Sequence, residues 1–516
     1  MFIRTILITS ISLVLGQAQL LKAEAQEATT QAEPIVAMYV HQHWPYNHPY
    51  AARTWTVEDW RGYLDGLHRL GFNAVVIWPV LETMPEPLTP SDRENLLKIA
   101  RVIDLAHAEF RMRVYVVLCP NVIADSATAG QATFEHRHFF HSDIRINPAE
   151  PEAVELMIQR RSKLLARLAG MDGLFIIDSD PGGYPGSTNA EFVFLLVEHR
   201  KLLDRIRPGI ELIYWMWAGW PAYARYYESG HFEWGKPEEF DEALSLIEAE
   251  DLEPWGIACT VQRARRIGRS ERVLLLQYGA IEGEPTMPIT NFGSDQAYNA
   301  GRAAALRGVV GNAQTHCVQL PNTFAFSRGA TGRPLPTDAD YLQFANDLIV
   351  GQGDLILAAW KAIGSNEPAR QRELADRLEK VADGSLLPGP LKGLLFGSPR
   401  RFMRDLMFQL RYQAAMAELT AAVDAGADTR PPLARYLTAL EDWYGQHGYK
   451  NTWAWQVGPL SRLKNERIDQ VLAPSLRAAT PFGRVKENLA LAETFTPRMI
   501  EAIRRTLDLP AGDANK

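Results

Sequence analysis

The chain has few cysteines, no excess of basic residues and no apolar run long enough to cross a bilayer. Three cysteines among 516 residues, Cys119, Cys259 and Cys317, are too few and too scattered for a disulfide framework or a cysteine-based zinc site. With 54 Lys and Arg residues against 61 Asp and Glu residues, the net charge is −7. That balance gives no general attraction to nucleic acid or to anionic lipid, so neither is expected as a partner.

The N-terminal segment has the features of a signal peptide. Arg4 supplies a positive charge, residues 6–15 form an apolar run, and small residues at Ala18 and at 23–25 offer cleavage sites. The run is too short for a transmembrane helix. We therefore predict a signal peptide over residues 1–25, a secreted or periplasmic mature protein, and no membrane anchor after cleavage. A buried N-terminal helix is the alternative.

Eight short runs rich in β-branched and aromatic residues recur along the first two thirds of the chain. They are Ile35–His41, Asn73–Pro79, Arg113–Cys119, Gly173–Asp178, Glu211–Trp217, Trp255–Thr260, Arg272–Gly279 and Gly308–Asn312. The runs are almost continuously apolar, as a parallel sheet buried on both faces requires, and amphipathic helical stretches separate most of them. Eight such units predict an α/β fold of the (β/α)8 TIM-barrel type. No Gly-rich dinucleotide fingerprint follows the first run, which disfavours an open doubly wound sheet.

Strand signals end near residue 336, and helical periodicity follows. Residues 338–363 are the first helical segment, and breaker residues separate several of the later ones. We therefore predict a TIM-barrel domain over residues 34–330 and a C-terminal all-α domain over residues 337–510.

Aromatic and polar residues cluster where the predicted strands end, which is where TIM barrels hold their chemistry. Five tryptophans stand at or just after strand ends. Aromatic faces with amide and imidazole donors suit sugars, whose C–H faces pack on rings and whose hydroxyls need polar partners. The predicted sugar-binding residues are His41, His43, Trp44, Trp78, Tyr184, Trp215, Trp217, Tyr278, Gln314 and Asn322. The alternative is that the tryptophans only fill the core.

The sharpest chemical signal is a pair of carboxylates, Asp178 and Asp180, after the apolar run 174–177. In an extended chain, residues i and i+2 face the same side about 6.5 Å apart. Side-chain tilt can bring such carboxyls near the roughly 5–5.5 Å separation used in retaining glycoside hydrolysis. Two carboxylates that close cannot both ionise easily, which yields an acid and a base. The alternatives are a helix N-cap, a calcium site or a salt bridge. Glu282 and Glu284 are reserve candidates for a nucleophile.

The histidines allow a second interpretation. His41 and His43 form an H-x-H pair after the first strand, as in the metal site of barrel amidohydrolases. Such sites need further histidines on the fifth and sixth strands, where this chain has tryptophan, cysteine and threonine. We therefore expect no metal and no cofactor. The group His136, His138 and His141 lies away from the strand ends and is expected to be part of a loop surface.

With these residues the chain resembles secreted TIM-barrel glycoside hydrolases, in particular the hexosaminidase-like barrels of families 20 and 84. The likeness rests on residues 174–180 and on the run 311–322 followed by helices. In those families an acid pair at the end of the fourth strand works with the substrate's own 2-acetamido group, and in family 84 a helical domain follows the barrel. Their acids are adjacent, whereas Ser179 separates the two here.

The resemblance implies an exported glycoside hydrolase acting on a polysaccharide or glycan. Asp180 would protonate the glycosidic oxygen, and Asp178 would orient or stabilise the nucleophile. A catalytically silent glycan-binding barrel is one alternative, and a metal-dependent hydrolase centred on His41 and His43 is another. The sequence leaves the sugar, its linkage and the oligomeric state open.

Overall fold

The structure, a computed structural model, describes residues 33–43, 46–137, 143–282, 292, 294–302, 306–313, 315–448, 460, 463, 465–468 and 499–509. The predicted signal peptide lies outside the described residues, as do the candidates Trp44, Glu284 and Gln314 and the histidines His138 and His141. Within the described part, no helix is both long and apolar enough to cross a membrane.

Eight parallel strands close into a barrel, as predicted. In chain order the strands are β1 (Ile35–His41), β2 (Ala74–Trp78), β3 (Arg113–Leu118), β4 (Val122–Ala124), β5 (Asp143–Arg145), β6 (Gly173–Ile177), β7 (Glu211–Trp215), β8 (Trp255–Cys259), β9 (Val273–Leu276) and β10 (Gly308–Asn312). The barrel order is β1-β10-β9-β8-β7-β6-β3-β2, while β4 and β5 form a separate antiparallel pair.

Helices fill the connections of the barrel and continue after it. They are α1 (Val57–Leu70), α2 (Pro90–Phe110), α3 (Ser126–Ala129), α4 (Pro151–Leu165), α5 (Asn189–Ile206), α6 (Trp220–Ser229), α7 (Pro237–Glu248), α8 (Val261–Ile267), α9 (Ser294–Gly301), α10 (Leu320–Ala330), α11 (Asp338–Leu348), α12 (Gly353–Ala362), α13 (Pro368–Ala382), α14 (Pro399–Asp424) and α15 (Arg430–His447). The expected fold class, a TIM barrel followed by helices, is confirmed.

The predicted helix over residues 338–363 is wrong in one respect, because the structure divides it into α11 and α12. Gly351 has a φ of +76°, a left-handed conformation that ends the helical path. The side-chain oxygen of Asn346 accepts hydrogen bonds from the backbone N–H groups of Gly351 at 3.1 Å and Gly353 at 3.0 Å. The backbone N–H of Gly353, the first residue of α12, is therefore hydrogen-bonded at the start of the helix.

The strand register decides which side chains face the barrel interior. Ile177 of β6 pairs with Trp215 of β7, and paired residues of parallel strands face the same side. The rings of Trp215 and Tyr39 meet at 5.4 Å across the barrel, so this layer points inward. Tyr214, one residue earlier, points outward, and its ring packs on Phe192 of α5 at 5.1 Å.

An ion pair occupies the base of the barrel. Arg307 Nη2 donates to Glu211 Oε2 at 2.6 Å, and a Cβ added to Gly256 would lie 2.8 Å from the same guanidinium. Glycine at that position leaves room for the pair in the interior. The opposite end of the barrel is where the candidate residues lie.

Helices α14 and α15 contact the loop that follows β1. Tyr50 OH donates to Asp405 Oδ1 at 2.5 Å, and Gln446 Nε2 donates to the same oxygen at 3.1 Å. The backbone N–H of Asn47 donates to the carbonyl of His447 at 3.0 Å. This loop is therefore anchored to the C-terminal helices by a buried polar network.

Candidate active site

Asp178 is fully buried directly after β6, and four donors occupy its carboxylate. Ser179 Oγ, Trp217 N and Gly219 N donate to Oδ1 at 2.7, 3.1 and 3.1 Å, and Tyr214 OH donates to Oδ2 at 3.1 Å. Burial raises the pKa of Asp178 above its ordinary value, and the bond from Ser179 acts in the opposite direction. The carboxylate therefore fixes the backbone at the start of the loop after β7.

The expectation that Asp178 and Asp180 face the barrel mouth together is not met. Ile177 faces the interior, so Asp178 points outward beside the outward-facing Tyr214. Asp180 has a φ of +74°, which is not an extended conformation. The period of two therefore fails at the second carboxylate, although the charges of both carboxylates raise the pKa of Tyr223.

Asp180 is half-buried at the edge of the mouth. The thiol of Cys119, the residue after β3, donates to the Asp180 carbonyl oxygen at 3.5 Å. Burial raises the pKa of Cys119 and of Tyr223, and the negative charge of Asp180 raises both further. The Asp180 carboxylate is thus close to both groups and still reaches solvent, which a group that exchanges protons with a ligand requires.

The loop that carries Asp180 is tightly held. A Cβ added to Gly182 would lie 2.5 Å from the carbonyl oxygen of Asp178, so only glycine fits there. Asn121 Nδ2 donates to the Gly183 carbonyl at 3.0 Å. A left-handed φ at a non-glycine residue costs on the order of 1–3 kcal/mol and persists only where its surroundings enforce it. These contacts are what enforce it at Asp180.

Five aromatic side chains line the barrel mouth. These mouth aromatics are Tyr39, Trp78, Trp215, Trp217 and Tyr278. Trp215 contacts Trp78 at 6.2 Å between ring centroids and Trp217 at 6.4 Å, and Trp217 contacts Tyr278 at 5.2 Å. Trp215 is 5% exposed, whereas Trp217 and Tyr278 are half-buried. Trp215 therefore fills the top of the barrel core, and Trp217 presents its ring to the mouth.

His41 and His43 stack on each other with ring centroids 3.6 Å apart, and His43 also meets Trp78 at 4.3 Å. Burial lowers the pKa of both histidines well below the ordinary value, and the buried Arg53 cation lowers both further. Arg53 itself donates to the carbonyl oxygen of Gln42 at 2.9 Å and to that of His43 at 2.5 Å. The imidazoles are therefore neutral near pH 7 and suited to hydrogen bonding.

Among the described residues, no group of three or more His, Cys, Asp or Glu side chains is arranged to hold a metal ion. At His41 and His43 the nearby charge is that of Arg53, a cation that repels a second cation. The geometry thus favours the hydroxyl-binding interpretation of this pair over the metal interpretation.

Glu282 and Tyr184 lie in the loops after β9 and β6, and Asn322 lies in the first turn of α10. Thr315 donates to Glu282 from its backbone N at 2.6 Å and from Oγ1 at 2.5 Å, and the Glu282 N–H donates to Asn312 O at 3.0 Å. Asn322 Nδ2 donates to the backbone just before Glu282 at 3.2 Å. Tyr184 is half-buried in the loop after β6. Glu282 and Asn322 therefore join the loops after β9 and β10.

Glu82, which was not among the predicted site residues, is a second buried acid beside the mouth. Trp78 Nε1 donates to its Oε1 at 3.3 Å, and the backbone N–H of Cys119 donates to the same oxygen. Burial raises the pKa of Glu82, while the Cys119 N–H bond lowers it. Glu82 and Asp180 thus flank Cys119, and Glu82 joins the ends of β2 and β3.

A second group of rings, also missed from the sequence, continues from the mouth to the surface. These rim aromatics are Tyr223, Tyr226, Tyr227, Phe232 and Trp234. Trp217 meets Trp234 at 5.5 Å, Trp234 meets Phe232 at 5.5 Å, and Phe232 meets Tyr223 at 5.7 Å. The signal was the aromatic density of residues 220–234, where no strand or long helix was expected.

We expect Asp178→Asn to destabilise the protein by about 1–3 kcal/mol, because an amide N–H₂ would face donors that now bind a carboxylate and would leave a buried group unsatisfied. Urea unfolding measures the free energy. The matched control is Asp104→Asn, at an exposed position on α2. An unfolding free energy equal to that of wild type would contradict the assigned role.

No protein-family model matches the chain, and no curated protein matches it. Solved structures of carbohydrate-active enzymes are similar to it at low identity. The Thermobaculum terrenum O-GlcNAc hydrolase is 10% identical over 93% of this chain and 95% of that chain, with a TM-score of 0.44. The GH84 protein CpGH84B is 10% identical over 83% of this chain and 73% of that one, with a TM-score of 0.45. A GH138 enzyme targeting pectin rhamnogalacturonan II is 9% identical over 84% and 65% respectively, also with a TM-score of 0.45. Likeness at this level leaves the reaction and the substrate to be argued from the chain's own side chains.

Proposed function

We propose that the protein is an exported glycoside hydrolase that cleaves a polysaccharide or glycan, with Asp180 as the proton donor. The observation that carries the proposal is the position of Asp180, a half-buried carboxylate close to Tyr223. Tyr223 belongs to the rim aromatics, which continue through Phe232 and Trp234 to Trp217 of the mouth. Aromatic rings bind the C–H faces of sugars, and a carboxylic acid at their edge can reach a glycosidic oxygen.

In this mechanism a sugar stacks on Trp217, and neutral His41 and His43 exchange hydrogen bonds with its hydroxyls. Asp180 gives its proton to the leaving oxygen as the glycosidic C–O bond breaks, and water completes the hydrolysis at the anomeric carbon. Asp178 is a positioning residue that acts through the backbone of Trp217. The group that stabilises the anomeric centre is the substrate's own acetamido group or a carboxylate of the loop after β9, Glu282 or Glu284.

The test is a hydrolysis screen of the purified protein on aryl glycosides and on polysaccharides, with release of the aryl alcohol and of reducing ends as readouts. We expect turnover of at least one glycoside. Proton NMR of the first-formed anomer then distinguishes retention from inversion. The absence of turnover on every glycan tested would contradict the proposal.

A second candidate function is a silent barrel that binds glycans without cleaving them. One observation favours it: within the described residues, Glu82, Asp178 and Glu282 are all at least nine-tenths buried and already hydrogen-bonded. Burial of these three carboxylates disfavours a mechanism that needs a second carboxylate in contact with the sugar. Saturable binding of a glycan together with no hydrolysis would support this candidate over the first.

The exported location is also a proposal, and it rests on the N-terminal sequence. We expect the mature chain to begin near residue 19 or residue 26, after the small residues that follow the apolar run. N-terminal sequencing of protein recovered from the periplasm or culture medium measures this. An active protein that retains Met1 would contradict it. The three cysteines are all buried, which suits thiols that remain unpaired after export.

A further inference from the structure

We propose that the rim aromatics bind further units of an uncharged glycan chain, so that the protein holds a polymer along its length and does not act on an isolated terminal sugar. The proposal deepens the proposed function and rests on it. It names the substrate class as a neutral polysaccharide or long oligosaccharide whose units extend from the barrel mouth over Trp217 and onto Trp234.

The first support is continuity between the two groups of rings. Trp234 meets Trp217 nearly edge to face, with an angle of 86° between the rings, and meets Phe232 on its other side at 79°. Trp234 is also 56% exposed, which is unusual for so large an apolar ring. An exposed tryptophan that continues a buried aromatic lining outward is suited to stacking on a ligand that leaves the mouth.

The second support is that the rim is held in a fixed position relative to the acid. The backbone N–H of Gly235 donates to the carbonyl of Ala218 at 2.8 Å, and the N–H of Ala218 donates to Ser179 Oγ at 3.1 Å. Arg263 Nη1 donates to the Trp217 carbonyl at 2.6 Å. The segment that carries Trp234 is therefore bonded, through the loop after β7, to the residue that precedes Asp180.

The third support is the charge around the rim. Glu228 and Glu233 are exposed beside Tyr227 and Trp234, and Asp180 lies at the inner end of the group. Arg145 lies 3.9 Å over the ring of Tyr227, Lys236 is exposed close to Trp234, and Arg263 donates to the Trp217 carbonyl. The two signs are therefore close to balance, and the rim has no excess positive charge that would attract a polyuronate or a sulfated chain. An uncharged chain needs no such attraction.

The experiment measures binding as a function of chain length. Cello- and chito-oligosaccharides of increasing length are titrated into the Asp180→Asn variant, in which turnover is slow, and Kd is read by calorimetry and by tryptophan emission. The same series is repeated with Trp234→Ala and with Trp234→Phe in the Asp180→Asn background. The matched control is Phe194→Ala in that background, which removes an aromatic ring that is 40% exposed on the outer wall of the barrel. Polygalacturonate is the anionic comparison, and an aryl glycoside assay of the wild type is run in parallel.

We expect Kd to fall with chain length and then to level off. Trp234→Ala should weaken binding of the longest chain by about tenfold, an effect of the size of one aromatic contact. It should change the shortest ligand least, and Trp234→Phe should restore most of the loss. Phe194→Ala should leave the series unchanged, and polygalacturonate should bind more weakly than the neutral chains.

A Kd that does not depend on length, or a Trp234→Ala series parallel to its parent, would overturn the inference. Tighter binding of polygalacturonate would overturn the neutral-chain assignment. Failure of the proposed function looks different, because the wild type would then cleave no glycoside, whatever the dependence of Kd on chain length. If the wild type cleaves aryl glycosides but the Kd of the oligosaccharides does not depend on their length, the proposed function stands and only the polymer assignment is rejected.

Discussion

Asp180→Asn is expected to lower kcat by about 10²–10⁴-fold on natural glycosides, the range that general acid catalysis supplies. Substrates with good leaving groups need little protonation, so activated aryl glycosides should be cleaved at nearly the wild-type rate in the bond-breaking step. The dependence of rate on leaving-group basicity should therefore become steep in this variant. Initial rates on a series of substituted aryl glycosides measure it.

Two variants make this result interpretable. Asp104→Asn, an exposed substitution of the same kind, should leave both rates unchanged. Asp178→Asn should slow activated and natural substrates alike, because the residue positions Trp217 and donates no proton. Full activity of Asp180→Asn on natural substrates would remove Asp180 from the mechanism, and Glu282 and Glu284 would be tested next.

The second large effect is a loss of folding stability at acidic pH. Five histidines are buried, namely His41, His43, His199, His316 and His447. Burial lowers the pKa of each below the ordinary value of 6.5, to about 3 for His199, His316 and His447. Above about pH 6.5 both the folded and the unfolded chain leave them neutral. As the pH falls, only the unfolded chain takes up protons, so stability is full above that value and is lost towards the folded-state pKa.

At about pH 5.5 His199, His316 and His447 should each lower the unfolding free energy by about 1.4 kcal/mol, and the three together by about 4 kcal/mol. His41 and His43 act in the same direction. The combined loss is a large part of the roughly 5–15 kcal/mol by which a protein is stable. Urea unfolding at a series of pH values measures the effect, and its slope gives the number of protons taken up on unfolding. Carboxylates with ordinary pKa values titrate below this window. The raised pKa values of Glu82 and Asp178 act in the opposite direction, because the folded chain takes up these protons before the unfolded chain does.

The matched variants are His199→Gln and His68→Gln. Arg161 donates to His199 Nε2 at 2.5 Å, a contact that a glutamine oxygen can replace, and His68 is exposed on α1. The first change should reduce proton uptake by close to one, and the second should leave it unchanged. Uptake of one proton or fewer by the wild type near pH 6 would contradict the assignment of neutral buried histidines.

The barrel was predictable because its strands are buried on both faces and therefore read as unbroken apolar runs. β1 and β10 begin and end at the predicted residues, and the other barrel strands lie within the predicted runs. The inward direction of Trp215 follows from the same period of two that describes any strand. Trp217 lies beyond the end of β7, and its contacts with Trp215 and Tyr278 place its ring at the mouth. Trp215 lies deeper than Trp217. Because a barrel core is packed with side chains, the deeper ring is buried.

The carboxylate pair was not predictable from spacing alone. Asp178 points out of the barrel because Ile177, the residue before it, points in. The inward direction of Ile177 follows from its pairing with Trp215 of β7, which the sequence does not contain. The direction of Asp180 depends on its left-handed backbone, which the contacts of Gly182 and Asn121 with the rest of the loop enforce. A local rule for extended chain does not apply where a strand has ended.

The rim was missed for a related reason. Trp234 follows α6 in an irregular segment that has no period to read, and it reaches Trp217 because the Gly235 N–H returns to bond with the Ala218 carbonyl. That contact joins residues that are distant along the loop, and composition does not encode it. Only the density of aromatic residues gave a hint.

The separation between the acid loop and the rim has a consequence for how such proteins diverge. Asp178 and Ser179 hold both the loop of Asp180 and the backbone of Trp217, so substitutions there would disturb proton transfer and stacking together. Trp234 is exposed and lies outside the barrel strands. The fold should therefore tolerate replacement of Trp234. Related proteins can therefore change the glycan they accept by mutation at the rim while the barrel interior stays constant. Trp234 is also the first position to change when specificity is altered by design.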